Sequence, residues 1–148
     1  MTNAATKQNE VPARRACILH AEDDRFTSTS IARLLTLKGF KVESATNGLD
    51  ALAELLSHPA AYDLIITDQS MPALTGVEWL QGIRDTGFSG KIIVFAASVS
   101  DETAKRFHAL GVDRILSKSG SLQSLLDAID KLLEETAAGK GGADGLEN

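Results

Sequence analysis

Acidic residues and one lysine close short apolar runs in this chain. Cys17-Ile18-Leu19-His20-Ala21 ends in Glu22-Asp23-Asp24, Tyr62-Asp63-Leu64-Ile65-Ile66-Thr67 ends in Asp68, and Ile115-Leu116-Ser117 ends in Lys118. If these runs are parallel neighbours in one sheet, their carboxyl ends bring three or four carboxylates and one ammonium into a single crevice. Carboxylates held that close repel by roughly several kcal/mol at intermediate dielectric unless a cation lies between them. A hard divalent ion answers that need, and Mg²⁺ takes one or two carboxylates together with waters and phosphate oxygens. The constellation points to phosphoryl chemistry.

The elements that must position these groups are legible as alternating apolar runs and helix-period segments. Strands are expected at 16–21, 41–45, 62–67, 91–97 and 113–117, short and rich in Ile, Leu and Val as strands buried on both faces should be. Leu122, Leu125, Leu126, Ile129, Leu132 and Leu133 follow helical spacing and mark the strongest helix. Ser100 can cap a helix whose first turn carries Asp101 and Glu102 and which stops at Gly111. Asn47 can cap the helix containing Leu52, Leu55 and Leu56, and Gly39 follows Lys38 as a C′ glycine should. Five βα repeats with short connections predict an α/β fold, a doubly wound parallel sheet with right-handed crossovers. Ligands bind such sheets at the carboxyl ends of the strands, where the acids and the lysine fall.

Bulk composition narrows the class. The 148 residues suit one domain, and 43% apolar with 24% charged residues is ordinary for a soluble globular chain. A net charge of −5 offers no basic stripe for nucleic acid, and no run approaches the apolar length of a membrane span. Cys17 is alone, so it forms no internal disulfide and reads as a small core residue. With no secretory signal at the N-terminus, a cytoplasmic setting is expected. Residues 1–13 read as a loose arm, 14–137 as the domain, and 138–148 as a Gly-rich flexible tail.

In their order, the acidic pair Glu22-Asp23, the segment Asp63-Leu64-Ile65-Ile66-Thr67-Asp68-Gln69-Ser70-Met71-Pro72, Gly76 and Lys118 resemble the receiver domain of two-component response regulators, from about Ala16 to Leu133. The resemblance implies a flavodoxin-like (βα)5 sheet in the order 2-1-3-4-5 and a phosphoacceptor, Asp68. It implies Mg²⁺ (or Mn²⁺) held by Asp23 and Asp68, by the Ser70 backbone carbonyl, and through water by Glu22. Lys118 and the backbone N–H groups of Gln69 and Ala97 would bind the phosphoryl group. The implied partners are a sensor histidine kinase or histidine phosphotransfer protein and a downstream protein of unknown identity. A stand-alone receiver that acts by binding, and catalyses at most its own phosphorylation and dephosphorylation, is the expectation.

The departures from that pattern are specific. Ala96 stands where the family usually carries a Thr or Ser hydroxyl, Ile115 where a switching aromatic commonly sits, and Ser119 where a proline follows the lysine. Ser98 could supply a hydroxyl only if its loop folds over the site, and Ser70 and Ser98 are expected to modulate it. Three other functions share parts of the pattern. A receiver-like adaptor that docks partners without phosphorylation is favoured by the absent Ala96 hydroxyl. A flavin carrier would use Thr27-Ser28-Thr29-Ser30, but Glu22-Asp23-Asp24 would repel its phosphate. A Mg²⁺ phosphohydrolase would want a second acid where Ser70 stands. Trp79 and Leu80 are expected on the buried face of the third helix, His20 in the core, and His58, before Pro59, in an exposed turn.

Overall fold

The computed structural model describes residues 16–146, with side chains described through Thr136. Five strands, β1 (Cys17–Ala21), β2 (Lys41–Ala45), β3 (Leu64–Thr67), β4 (Lys91–Ala96) and β5 (Arg114–Ser117), form one sheet in the order β2-β1-β3-β4-β5. Every pairing is parallel. Helices alternate with the strands: α1 (Arg25–Leu37), α2 (Gly48–Ser57), α3 (Gly76–Gly82), α4 (Asp101–Ala109) and α5 (Leu122–Leu146), with a short 3₁₀ turn at Arg84–Thr86.

The alternation of side chains along each strand divides the core in two. Leu19, Ile65 and Val94 face α2, α3 and α4 through Ala51, Leu55, Val77, Leu80 and Phe107. Ile18, Leu64, Ile66 and Ile93 face α1 and α5 through Ile31, Leu35, Leu125, Ile129 and Leu132. Each of these fully buried aliphatic side chains contributes about 1.5–3 kcal/mol against exposure. The expected stripe of the last helix is therefore its buried face, except that Leu122, at the first turn, is exposed.

Helix ends follow side-chain chemistry. Asn47 accepts from the Asp50 N–H at 2.7 Å, and Ser100 accepts from the Thr103 N–H at 3.1 Å. Gly39 and Gly111 follow the C-caps of α1 and α4 at φ +99° and +89°, a conformation that side chains with a Cβ rarely adopt. Asp24 caps α1, accepting from both the backbone N–H and the hydroxyl of Thr27, at 2.9 and 2.6 Å. Of the three consecutive acids, the third thus belongs to the helix, and three carboxylates remain for the crevice.

Two expectations change. Burial on both faces holds for β1, β3 and β4, but Lys41, Glu43 and Ser44 of β2 are exposed. An edge strand has one neighbour, so its polar residues meet water. β3 begins at Leu64 and not at 62: Asp63 still bonds through its backbone to Cys17 and Lys91, while Tyr62 donates its hydroxyl to Glu54 at 2.5 Å. The last helix, in backbone terms, continues to Leu146, into the stretch 138–148 expected as a Gly-rich tail. Once a helix is nucleated, each further residue adds one i→i−4 bond, so its glycines lower helicity without ending it. The expected N-terminal arm, residues 1–13, lies outside the described residues.

Candidate functional site

Strand register sets the site. Ala21 is opposite Thr67, and Thr67 is opposite Val94, so β1 and β3 end side by side and release Glu22 and Asp68 together. The backbone then fixes each residue that carries charge. The Glu22 N–H donates to the Ala45 carbonyl at 3.0 Å, the Asp68 N–H to Ala21 at 3.0 Å, and the Lys118 N–H to Ala96 at 2.8 Å. Residues far apart in the chain thereby share one rigid rim.

Lys118 Nζ lies 2.7 Å from Glu22 Oε1 and 2.8 Å from Asp68 Oδ2. Lys118 thus pairs with Asp68 and with Glu22 at once. The other Asp68 oxygen, Oδ1, accepts the Gln69 N–H at 2.7 Å, and Glu22 Oε2 accepts the Asp24 N–H at 3.1 Å. Glu22 and Asp68 are buried while Asp23 is exposed, and one carboxylate oxygen from each lies within 4.8 Å of the others. This donor set fits a hard divalent cation: all ligands are oxygen, and the exposed Asp23 side is open to water.

The electrostatics reflect crowding at a low-dielectric rim. Burial pushes the Glu22 carboxyl above the usual range and Asp68 adds to the rise; the hydrogen bonds from Lys118 and the Asp24 N–H oppose it. Burial disfavours the Lys118 ammonium, but its hydrogen bonds to Asp68 and Glu22 outweigh that and raise its pKa. His20, fully enclosed on β1, is lowered to about 4 by burial and by Lys118, with Asp68 opposing. Its Nδ1 has no hydrogen-bond partner among the described residues. His20 is a core residue, as expected, but one that lies within the field of the site.

The remaining expected residues group less tightly. Ser70 is exposed in the β3–α3 loop, and Ala97 and Ser98 are exposed just beyond β4. Ala96 is 2% exposed at the end of β4, and Ile115, half-buried opposite Val94, packs into the core beneath α4. The Lys118-Ser119 bond is trans. His58 is the C-cap of α2 and pairs with Glu54 at 3.3 Å. Thr27–Ser30 lie within α1. Sequence reasoning assigned Trp79 to the core, where it is fully buried, but missed its polar end: Nε1 donates to Thr67 Oγ1 at 2.9 Å. The available signal was a buried indole, which seeks an acceptor, on a helix facing a strand that ends in threonine.

With this geometry in hand, the sequence pattern described as the response regulator receiver domain matches residues 18–130. The chain belongs to the response regulator receiver family. The receiver is 36% identical over 121 residues to response regulator MprA of Mycobacterium leprae, covering 80% of this chain and 51% of that protein. It is 26% identical over 132 residues to chemotaxis protein CheY of Treponema pallidum, covering 88% of this chain and 90% of that protein. The chain spans about half the length of the MprA relatives it matches and 19% of two-component system protein A of Emericella nidulans. Among solved structures, the Vibrio cholerae chemotaxis protein CheY4 superposes with a TM-score of 0.73 at 26% identity, covering 80% of this receiver and 99% of that chain. A CheY-like receiver from Methanospirillum hungatei shares the fold at a TM-score of 0.78 and 24% identity, covering 84% and 98%. No described helix is long and apolar enough to cross a membrane.

Proposed function

We propose that this receiver accepts a phosphoryl group on Asp68 from a phosphohistidine donor, a histidine kinase or histidine phosphotransfer protein, and passes the signal on through protein contacts. The observation that carries this reading is the Asp68 carboxylate at the end of β3, between the Lys118 ammonium and two further acids. A carboxylate oxygen attacks phosphorus, an O–P bond forms, the N–P bond of the donor breaks, and the released imidazole takes its proton from water. Mg²⁺, or Mn²⁺, held by Glu22, Asp23, Asp68 and the Ser70 backbone carbonyl, would supply the charge shielding this transfer needs.

The protein's own groups do the rest. Lys118 leaves its two carboxylates for a phosphoryl oxygen and acts as a point charge. The Gln69 N–H, already aimed at Asp68 Oδ1, and the Ala97 N–H meet the other oxygens. Ala96 has no hydroxyl to draw toward the phosphoryl group and Ile115 has no ring to reorient, so the output runs through the loops rather than a side-chain swing. That same missing hydroxyl supports the second reading, an adaptor that binds partners regardless of phosphorylation.

The deciding experiment is incubation with Mg²⁺ and a small acyl phosphate, followed by intact-mass measurement. A gain of one phosphoryl group that disappears in Asp68→Asn supports the phosphoacceptor. An unmodified mass under conditions where Mg²⁺ binds leaves the adaptor.

A further inference from the structure

Three hydrogen bonds, joined through one peptide plane, run from the interior of α3 to Asp68. Trp79 Nε1–H donates to Thr67 Oγ1 at 2.9 Å. The Thr67 hydroxyl donates onward to the Asp68 carbonyl at 2.7 Å. That carbonyl shares its peptide plane with the Gln69 N–H, which donates to Asp68 Oδ1 at 2.7 Å. Trp79 and Thr67 are fully buried and Asp68 is 7% exposed, so water does not compete along most of the path. The Asp68 carbonyl is also boxed in: a Cβ on Gly76, the first residue of α3, would lie 2.5 Å from its oxygen.

We propose that Trp79 is a positioning residue for Asp68, acting through Thr67 and the Asp68–Gln69 peptide, and that it carries the state of the carboxylate into α3. A peptide whose carbonyl accepts a strong hydrogen bond is a better donor at its N–H, because bonds in series polarise one another. The Thr67 hydroxyl thus strengthens the N–H that holds Oδ1. It also fixes the tilt of that peptide, and with it the direction in which Asp68 presents its free oxygen. The indole removes the hydroxyl's rotational choice: with Nε1–H occupying its acceptor side, the Thr67 proton is committed to the Asp68 carbonyl. When Asp68 is esterified, Oδ1 loses its anionic character, the Gln69 N–H turns to a new partner, and the change returns along the same bonds to the indole. This rests on the phosphoacceptor reading for its activity, but the relay itself is a property of the unmodified protein.

The chain has one tryptophan, so its indole N–H gives one resonance. Three measurements test the relay. In the unmodified protein, Asp68→Ala shifts that resonance, and in a Thr67→Val background it does not. With Mg²⁺ and beryllofluoride, the wild-type indole resonance moves by more than its linewidth, while that of Thr67→Val stays in place. Phosphorylation by acetyl phosphate slows about three- to tenfold in Thr67→Val and in Trp79→Phe, the range expected for one buried hydrogen bond. The double variant is no slower than either single one, as members of one relay require, and Thr67→Ser recovers most of the rate. An indole resonance indifferent to Asp68→Ala, or a Thr67→Val protein that reacts at the wild-type rate, overturns the proposal. If Asp68 accepts neither phosphoryl nor beryllofluoride, the phosphoacceptor reading fails instead. The Asp68→Ala shift then decides the relay alone.

Discussion

Lys118 serves two carboxylates at once, and at 23% side-chain exposure it is the counter-charge that lets Glu22 and Asp68 coexist near the sheet. Removing one partner from a partly buried cluster costs more than the pair contributes, because the remaining charges are stranded. Lys118→Met should therefore lose about 1–3 kcal/mol in chelator at neutral pH. The loss should shrink as pH falls and the carboxylates take protons, and millimolar Mg²⁺ should restore part of it; urea unfolding with and without the metal measures both. His20 makes a prediction of opposite sense. Its folded pKa is about 4 against 6.5 unfolded, so between those values the folded protein binds fewer protons than the unfolded chain. The stability due to neutral His20 is complete above about pH 6.5 and is lost as pH falls toward 4, a total of about 3 kcal/mol. In chelator, the stability of wild type minus that of His20→Leu should decline across that window. A pH-independent difference would refute it.

At the scale of elements, the acid triplet divides between a helix and a site. Asp24→Ala should weaken α1 and leave Mg²⁺ affinity in place, since Asp24 caps Thr27. Asp23→Asn should do the reverse, abolishing a weak Mg²⁺ affinity while α1 keeps its helicity; calorimetric metal titration and amide exchange separate the two. The loops make the second prediction. On the proposed reading of Ala96 and Ile115, beryllofluoride should shift amides in 69–76 and 96–103 far more than those around Ile115 and α5. Comparable shifts in α5 would show another route. Much of this architecture was legible because local chemistry and tertiary need agree. Asn47 and Ser100 cap, Gly39 and Gly111 terminate, and the Leu125–Leu132 stripe buries, all as their residue types dictate. The convergence of Glu22, Asp68 and Lys118 was legible because strand ends collect in one crevice. What escaped depends on neighbours that no local pattern encodes. The exposure of β2 follows from its place at the sheet edge, the assignment of Asp24 from the turn of α1, and the Trp79–Thr67 bond from how α3 rests on β3.

At the scale of the molecule, the two core clusters on either side of the sheet leave the carboxyl edge as the place where polar groups concentrate. The fold and the family are shared with CheY-like chains of matching length, while the MprA relatives carry as much chain again beyond the matched part. One feature of that edge bears on how the molecule is made. Lys118 follows Asp68 by 50 residues and stands just beyond the last strand of the sheet. Any folding intermediate that pairs β1 with β3 before β5 is added would set the three carboxylates together with no ammonium among them. Carboxylates left unpaired in that way would repel where the sheet must close, and a divalent cation held by them would relieve the repulsion. Metal in this picture acts on the rate of assembly before it acts on any signal. Refolding from urea should be faster with Mg²⁺ than with chelator in the wild type, and equally fast in both for Asp23→Asn. An identical acceleration in the two proteins would place the effect elsewhere in the chain.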